Sequence, residues 1–204
     1  MRPEQQLAAW GVSRETFERL SAYVAFLTKW QKTIQLVSPK SLQEIWDRHI
    51  LDSAQLATLI PPSVTTLADM GAGGGLPGLV LALLRPELRV TLIEQDRRKA
   101  AFLIEAIRVL DIKHAKVFAG DIADCTEQFE CVTARALAPL SALLAYAYPL
   151  IHTHAICFFP KGESYATELE EAKGRWQFNS QLHPSKTQKQ SAIVSITELS
   201  LRAS

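Results

Sequence analysis

The chain has 204 residues, of which 48% are hydrophobic, and a formal net charge of +1 at pH 7. This length and composition suffice for one sizeable hydrophobic core, so we expect one catalytic-size domain with a small extension. The near-zero charge excludes a global electrostatic attraction to nucleic acid or membrane, and any contact with a polyanion then needs a local basic patch. RNA as a partner is compatible with this charge.

The cysteines and the apolar segments indicate a cellular compartment. Cys125, Cys131 and Cys157 are odd in number and lack CxxC spacing, which favours reduced, buried thiols over disulfides or a zinc site. The segment MRPEQQL has no apolar stretch typical of an export signal, and no apolar run approaches the roughly 18 residues of a membrane span. We therefore expect a soluble, cytoplasmic protein.

The first part of the chain is predicted to be helical. Apolar residues recur at helical spacing from Ser13 to the pair Pro61 and Pro62, where the pattern ends. Ser13 followed by Thr16 predicts an N-cap. Residues 1–62 are therefore expected to form a helical cap that belongs to the same globule as the rest of the chain.

The remaining residues, 63–204, are predicted to form an α/β domain. Short apolar runs alternate with helical segments, which predicts a parallel β-sheet with helices on both faces. The tail from Trp176 to Leu199 predicts two further strands in an antiparallel edge hairpin. The five expected parallel strands, each interpreted as buried, are VTTLADM, RVTLIEQ, AKVFAG, ECVTARA and HAICFFP.

A glycine cluster follows the first predicted strand and precedes a predicted helix, in the run LADMGAGGGLPGLVLALL. Glycines at such a turn permit positive φ and let a ligand press against bare backbone, while the helix N-terminus offers unpaired N–H groups. The run contains GxGxxG as Gly73, Gly75 and Gly78, so a nicotinamide dinucleotide has to be considered.

The residue that favours a different ligand is Asp69, which lies two residues before Gly71 and gives the spacing DxGxGxG. A dinucleotide presents pyrophosphate at this turn and gains nothing from a carboxylate. The cationic aminopropyl sulfonium of S-adenosyl-L-methionine (SAM) does gain from one. The spacing therefore favours a SAM site, with a dinucleotide site and a purely structural turn as the alternatives.

Two further acidic residues follow predicted strands. Glu94 ends the second strand about twenty residues after the glycines, which favours hydrogen bonds to a ribose diol over a role as a solvated loop acid. Asp121 follows the third strand, where this cofactor class has its adenine amine recognised, with the backbone of Ile122 beside it. The sequence GDIAD is equally compatible with a helix cap.

Two basic residues are expected at the carboxyl ends of the next strands. Arg135 follows CVTA and should emerge in the crevice where open α/β sheets bind ligands. An arginine buried there requires an anionic partner, which is either a ligand or phosphate, or an internal carboxylate. Lys161 ends the fifth strand in the same register and is either a functional cation or a strand-exit residue.

The segment RHILD carries Arg48, His49 and Asp52 on neighbouring helical turns. Arg48 and Asp52 have i, i+4 spacing, so one interpretation is a surface ion pair. The alternative is that this helix edge lines the mouth of an active site and meets RNA phosphate.

Several motifs in this order resemble the bacterial 16S rRNA guanine-N7 methyltransferases, the RsmG (GidB) family. The resemblance extends from the helical N-terminus to about Gly162, and the final forty residues match loosely. The motifs that carry it are DRHILDS, DMGAGGGLPG, RRKAAFL, TARA and FPKG.

The resemblance implies a Rossmann-like class I SAM-dependent methyltransferase with 16S rRNA of the small ribosomal subunit or its precursor as substrate. The implied positioning residues of the catalytic site are Arg135 and Lys161, and the implied RNA contacts are Arg48, His49 and Lys161. The implied cofactor-binding residues are Asp69, Gly71, Gly73, Gly75, Leu76, Glu94, Asp121, Ile122 and Arg135.

Methylation of guanine N7 suits such a sparse set of residues. N7 carries a lone pair and no proton, so the reaction needs in-line placement and no general base. His152 and His154 lack a second ligand pair, so no metal is expected, and we expect a monomer. A nicotinamide-dependent oxidoreductase and a non-catalytic RNA-binding or ribosome-assembly module stay open as alternatives.

Overall fold

A computed structural model of the chain describes residues 2–202. The N-terminal segment is helical, as predicted. After α3 the chain forms a π-helical turn over Trp46–Leu51, which runs directly into α4. The four helices are α1 (Pro3–Ala9), α2 (Arg14–Trp30), α3 (Pro39–Leu42) and α4 (Asp52–Ala57).

Helix α2 begins and packs as its sequence predicts. The Ser13 side chain accepts a hydrogen bond from the Thr16 backbone N–H and so caps the helix. Leu20, Tyr23 and Leu27 recur at helical spacing, and all three are fully buried. This face packs against the α/β part of the molecule.

The α/β part contains one seven-stranded sheet with strand order β3-β2-β1-β4-β5-β7-β6. The first five strands are parallel, and β7 runs antiparallel to both β5 and β6. This arrangement confirms the predicted parallel sheet with an antiparallel edge hairpin. The strands are β1 (Thr66–Met70), β2 (Arg89–Glu94), β3 (Ala115–Ala119), β4 (Phe129–Ala134), β5 (Ile151–Lys161), β6 (Trp176–Pro184) and β7 (Ala192–Leu201).

The interpretation of AKVFAG as a buried strand was wrong. Strand β3 lies at the edge of the sheet and pairs with β2 alone, and its side chains are half-buried or exposed. By contrast, β1 and β4 lie in the middle, and every residue from Leu67 to Met70 is buried. Burial on both faces is what makes a central parallel strand apolar throughout.

Helices cover both faces of the sheet, and the sheet separates the apolar interior into two clusters. One cluster joins the N-terminal helices to the helices after β1 and β2, and the other joins the two later helices to the opposite face. These connecting helices are α5 (Gly78–Leu84), α6 (Arg97–Val109), α7 (Leu140–Ala147) and α8 (Tyr165–Lys173).

Within residues 2–202, no helix combines the length and the apolar character that crossing a lipid bilayer demands. The same residues contain no group of three or more His, Cys, Asp or Glu side chains arranged to hold a metal ion. Cys125, Cys131 and Cys157 are buried and free, as their spacing predicted.

Candidate active site at the carboxyl ends of the strands

The glycine-rich loop between β1 and α5 has the backbone that its sequence predicts. Gly71, Gly73 and Gly75 have φ angles of 63°, 54° and 83°. This left-handed region is strained for residues with a side chain. The Gly73 N–H donates to Glu94 Oε2 at 2.8 Å, so the end of β2 fixes the loop. The loop is therefore held open by backbone geometry and by one carboxylate.

A cavity of about 290 Å³ lies in front of this loop. Glu94 ends β2 on its wall, as predicted, and its Oε1 accepts a hydrogen bond from the Asp96 N–H at 2.8 Å. Asp121 also lies on the wall, and its Oδ1 accepts from the Ala123 N–H at 2.9 Å, so it both caps a short helical turn and faces the cavity. The lining residues include Gly71, Gly73, Ile93, Glu94, Gln95, Lys99, Gly120, Asp121, Ile122, Ala136, Leu137 and Tyr146.

Asp69 lies behind the loop and is fully buried. Its Oδ2 accepts from the Gly78 N–H at 2.8 Å, and its Oδ1 accepts from the Thr133 hydroxyl at 3.1 Å. A Cβ on Gly78 would lie 2.7 Å from Asp69 Oδ2, so a glycine is required there. Gly75 and Leu76 of the loop are also buried, and Leu76 is 6% exposed. Asp69 therefore ties the start of α5 to β1 and β4.

Burial raises the pKa of Asp69 from 3.8 to about 7, and the hydrogen bonds from Gly78 and Thr133 offset only part of the rise. Because the folded-state pKa is above the unfolded one, the unfolded chain releases this proton first as the pH rises. The contribution of Asp69 to stability is thus complete below about pH 4 and is lost by about pH 7.

We expect Asp69→Asn to remove this pH dependence. Between pH 5 and pH 8, the wild-type chain should lose stability relative to the variant by more than about 1.4 kcal/mol, the equivalent of one pKa unit. Urea denaturation of both proteins at the two pH values measures the difference. A constant difference between them would show that Asp69 is ionised in the folded protein throughout this range.

Tyr23 connects the N-terminal helices to the loop. It is fully buried on α2, and its hydroxyl donates to the Gly74 carbonyl. Burial raises the pKa of Tyr23, so the phenol stays protonated as the donor. The helical segment therefore takes part in shaping the glycine loop.

A second cavity, of about 240 Å³, adjoins the first. Ala136 lines both cavities and has a φ of 54°, which is unusual for a residue other than glycine. Arg135 and Lys161 both line the second cavity, so β4 and β5 deliver these two cations to one place, as predicted from the strand ends.

Arg135 joins β4 to the N-terminal segment. Its Nη1 donates to the Arg48 carbonyl at 3.1 Å and lies 3.6 Å from Asp52 Oδ2. Its Nη2 is 2.9 Å from His49 Nδ1. The side chains of Arg135 and Asp52 are 17% and 9% exposed, so the pair is largely buried. Of the two hypotheses for Arg135, these contacts support neutralisation of an internal carboxylate.

His49 is a neutral acceptor for Arg135. A guanidinium can only donate, so His49 Nδ1 accepts, and Nε2 carries the proton toward Ser41 Oγ at 2.9 Å. Burial, Arg135 and Arg48 lower the pKa of His49 to about 4, which keeps the ring neutral in this role. With both ring nitrogens occupied, His49 positions Arg135.

Lys161 is also paired. Its Nζ lies 2.5 Å from Glu168 Oε2 and donates to the Ala138 carbonyl at 3.0 Å. Glu168 in turn accepts from the Leu140 N–H at 2.8 Å. The Lys161 side chain is 10% exposed. The second cavity is therefore lined by two largely buried ion pairs. Asp52 of α4 pairs with Arg135, and Glu168 of α8 pairs with Lys161.

The interpretation of Arg48 and Asp52 as a surface ion pair was wrong. The π-helical turn shifts the two residues away from i, i+4 alignment. Arg48 instead pairs with Glu44 at 3.6 Å, while Asp52 points inward. The exposed guanidinium of Arg48 stays at the surface.

Asp52 also holds a loop that sequence reasoning did not connect with it. Asp52 Oδ1 accepts from the Thr187 hydroxyl at 2.8 Å, and Gln55 Oε1 accepts from the Lys186 N–H at 2.9 Å. Thr187 and Lys186 belong to the loop 185–191 between β6 and β7. The missed residues Tyr23, Gln55 and Thr133 share one signal in the sequence, which is a polar side chain within a mostly apolar segment.

Comparison with solved structures identifies the class of fold. The crystal structure of TYW2 from M. jannaschii in complex with AdoMet has a TM-score of 0.57 and 13% identity to this chain, and the match covers 84% of this chain and 80% of that one. The chain has the fold of the class I SAM-dependent methyltransferases.

Sequence comparison identifies the family within this class. Residues 16–196 match the family described as GidB, rRNA small subunit methyltransferase G. The ribosomal RNA small subunit methyltransferase G of Methylorubrum extorquens (strain PA1) is 46% identical over 198 residues, which cover 93% of this chain and 92% of that protein. Its counterpart in Acidiphilium cryptum (strain JF-5) is 48% identical over 207 residues, with 94% and 95% covered. The chain belongs to this methyltransferase family, which confirms the resemblance seen in its motifs.

Proposed function

We propose that this protein transfers a methyl group from SAM to N7 of a guanine in 16S rRNA. The observation that carries the proposal is the pair of adjoining cavities at the carboxyl ends of the strands. One cavity has the glycine loop and two carboxylates, and the other has two paired cations. The family to which the chain belongs supports the reaction and the RNA substrate.

The residues of the first cavity fit SAM. Gly71 and Gly73 present bare backbone, and Glu94 at the end of β2 accepts hydrogen bonds from the ribose hydroxyls. Asp121 and the backbone of Ile122 recognise the adenine. Gly75, Leu76 and the buried Asp69 keep the loop in its open shape, and a cationic ligand nearby would favour the ionised form of Asp69.

When bound, SAM supplies an electrophilic methyl group on a positively charged sulfur. The attacking guanine N7 has no proton to lose, so the chain need not supply a general base. Its residues instead hold the base in line with the methyl group and exclude water. Proximity and electrostatic preorganisation then account for the acceleration.

Arg135 and Lys161 line the second cavity, and their ion pairs with Asp52 and Glu168 fix the walls that position the target there. Arg135 must not donate its usual fork to guanine O6 and N7, because that would occupy the attacking lone pair. Its bonds to His49 and to the Arg48 carbonyl, together with its ion pair with Asp52, turn the guanidinium toward the protein. The exposed side chain of Arg48 is available to RNA phosphate. A monomer acting on the small subunit or its precursor completes the proposal.

The nicotinamide-dependent oxidoreductase that the GxGxxG pattern left open is not favoured, because the chain belongs to a methyltransferase family. The cations of the second cavity do not favour it, since each is already engaged by a carboxylate. A hydride-transfer site needs an acid or base free to exchange a proton with its substrate.

We expect S-adenosylhomocysteine to raise the melting temperature of the protein, and NAD to leave it unchanged, because a ligand that binds only the folded state stabilises it. Differential scanning fluorimetry with both ligands measures this, and transfer of radiolabelled methyl groups to 16S rRNA measures the activity. Stabilisation by NAD alone would overturn the cofactor assignment. Cofactor binding without methyl transfer would favour a non-catalytic RNA-binding module.

A further inference from the structure

We infer that the second cavity receives the target base itself, as an uncharged purine turned out of the RNA, and that the loop 185–191 is the outer wall of this base cavity. The inference rests on the proposed methyl transfer and extends it to the C-terminal hairpin. It assigns a role to residues whose sequence carries no recognisable motif.

The position and size of the base cavity fit one base. Ala136 lines both cavities, so a group in the second cavity lies beside the first. Its volume of about 240 Å³ is smaller than the volume of about 290 Å³ of the first cavity, which we assign to the larger cofactor. Enzymes that modify a base extrude it into a close-fitting pocket of this kind.

The charges of the base cavity fit a neutral group and not a phosphate. Arg135 faces Asp52 at 3.6 Å, and Lys161 faces Glu168 at 2.5 Å. The two cations and the two carboxylates cancel, and all four side chains line the cavity. Phosphate binding depends on cations that are free to replace counterions. Hydrogen-bonding groups without net charge suit the edges of a purine.

Hydrogen bonds to α4 fix the loop that forms the wall of the base cavity. Asp52 and Gln55 of α4 hold the loop through Thr187 and Lys186. Ser185, Gln188 and Ser191 of the loop line the base cavity. The loop is thereby fixed to the helix that also anchors Arg135.

The outer side of this loop carries positive charge. The ammonium of Lys186 lies 5.1 Å from the centre of the Trp10 ring, and Lys189 is exposed. These cations lie outside the cavity lining, where the phosphates that flank an inserted base would pass. The arrangement separates base recognition inside the cavity from phosphate contacts outside it.

A matched pair of tryptophan substitutions tests the inference. Gln188 lines the base cavity, whereas Gln177 on β6 is exposed and lies outside both the lining and the loop 185–191. We expect Gln188→Trp to fill the cavity and to slow single-turnover methylation of 16S rRNA by about 100-fold, the scale of a misplaced reacting group. RNA affinity in filter binding, S-adenosylhomocysteine affinity in calorimetry and the melting temperature should stay close to wild type. Gln177→Trp should leave all four quantities unchanged.

Each other outcome has a distinct meaning. Equal methylation rates for the two variants would overturn the base cavity while leaving the proposed methyl transfer intact. A parallel loss of RNA affinity and rate in Gln188→Trp would also overturn it, because the rate would then fall through weaker RNA binding and not through exclusion of the base from the cavity. If the wild-type chain fails to bind S-adenosylhomocysteine, the proposed function itself fails. If the melting temperature of Gln188→Trp falls well below that of wild type, Ser191→Met takes its place in the test. Ser191→Met fills the same cavity with a smaller side chain, and the same four quantities are measured.

Discussion

Replacement of Arg135 by alanine is expected to lower the free energy of unfolding by about 3 kcal/mol, because it leaves a buried carboxylate without its partner. Arg135 and Asp52 are largely buried, with side chains 17% and 9% exposed. The same change removes the donors to the Arg48 carbonyl and to His49 Nδ1. The contact between β4 and the N-terminal segment is thereby lost. Denaturation in urea measures the effect.

Two companion variants make the result specific. Arg89→Ala removes an exposed arginine at the start of β2, at the opposite end of the sheet, and should change stability by less than about 0.5 kcal/mol. Arg135→Met combined with Asp52→Asn removes both charges and should recover part of the lost stability. If Arg135→Ala is as stable as Arg89→Ala but fails to methylate RNA, Arg135 acts on the substrate and not as a structural anchor.

Substitution of Gly71 by valine is expected to weaken S-adenosylhomocysteine binding by at least about 100-fold, equivalent to about 2.7 kcal/mol. Gly71 has a φ of 63°, and a Cβ there would lie 2.7 Å from Leu137 Cδ1. Leu137 also lines the first cavity, so a side chain at Gly71 would displace the neighbouring Leu137 and change the shape of the cavity wall. Calorimetric titration measures the affinity.

Gly11→Val is the matched control for this substitution. Gly11 has a φ of 82°, so both variants carry the same kind of backbone strain, but a Cβ on Gly11 meets no atom within 4 Å. The backbone strain costs about 1–2 kcal/mol of stability in each case. Gly11→Val should bind the cofactor product as tightly as wild type. Equal losses of binding in the two variants would mean that Gly71→Val acts through general destabilisation.

The parts of the fold that were predictable are those that local sequence encodes. Apolar runs predicted the parallel strands, and the glycines after β1 predicted a loop with positive φ. Arg135 and Lys161 were placed correctly because each follows a strand, and the carboxyl ends of parallel strands share one edge of the sheet. Which carboxylate each would face was not predictable. Asp52 reaches both Arg135 and the distant Thr187, and no periodicity relates such positions.

Two other differences between the sequence-based predictions and the structure also arise from contacts between distant parts of the chain. The pattern of AKVFAG cannot distinguish an edge strand from a central one, because edge position depends on the order of the whole sheet. Asp69 was interpreted as a partner for a cationic ligand, and this contact stays a prediction. Its hydrogen bonds to Gly78 and Thr133 depend on the chain turning back toward β1 and on a neighbouring strand. Tertiary structure supplies both.

The apolar core that the N-terminal helices share with the sheet has an evolutionary consequence. Leu20 and Leu27 of α2 pack in the same cluster as Leu79 of α5 and Leu92 of β2. Separation of the helical segment would leave a contiguous apolar patch on each part. Loss of this segment, or its exchange by recombination, would therefore expose apolar residues of α5 and α6 unless polar substitutions arose there at the same time. Change should instead accumulate at the solvent-facing positions of α2, while its inward positions covary with those of α5.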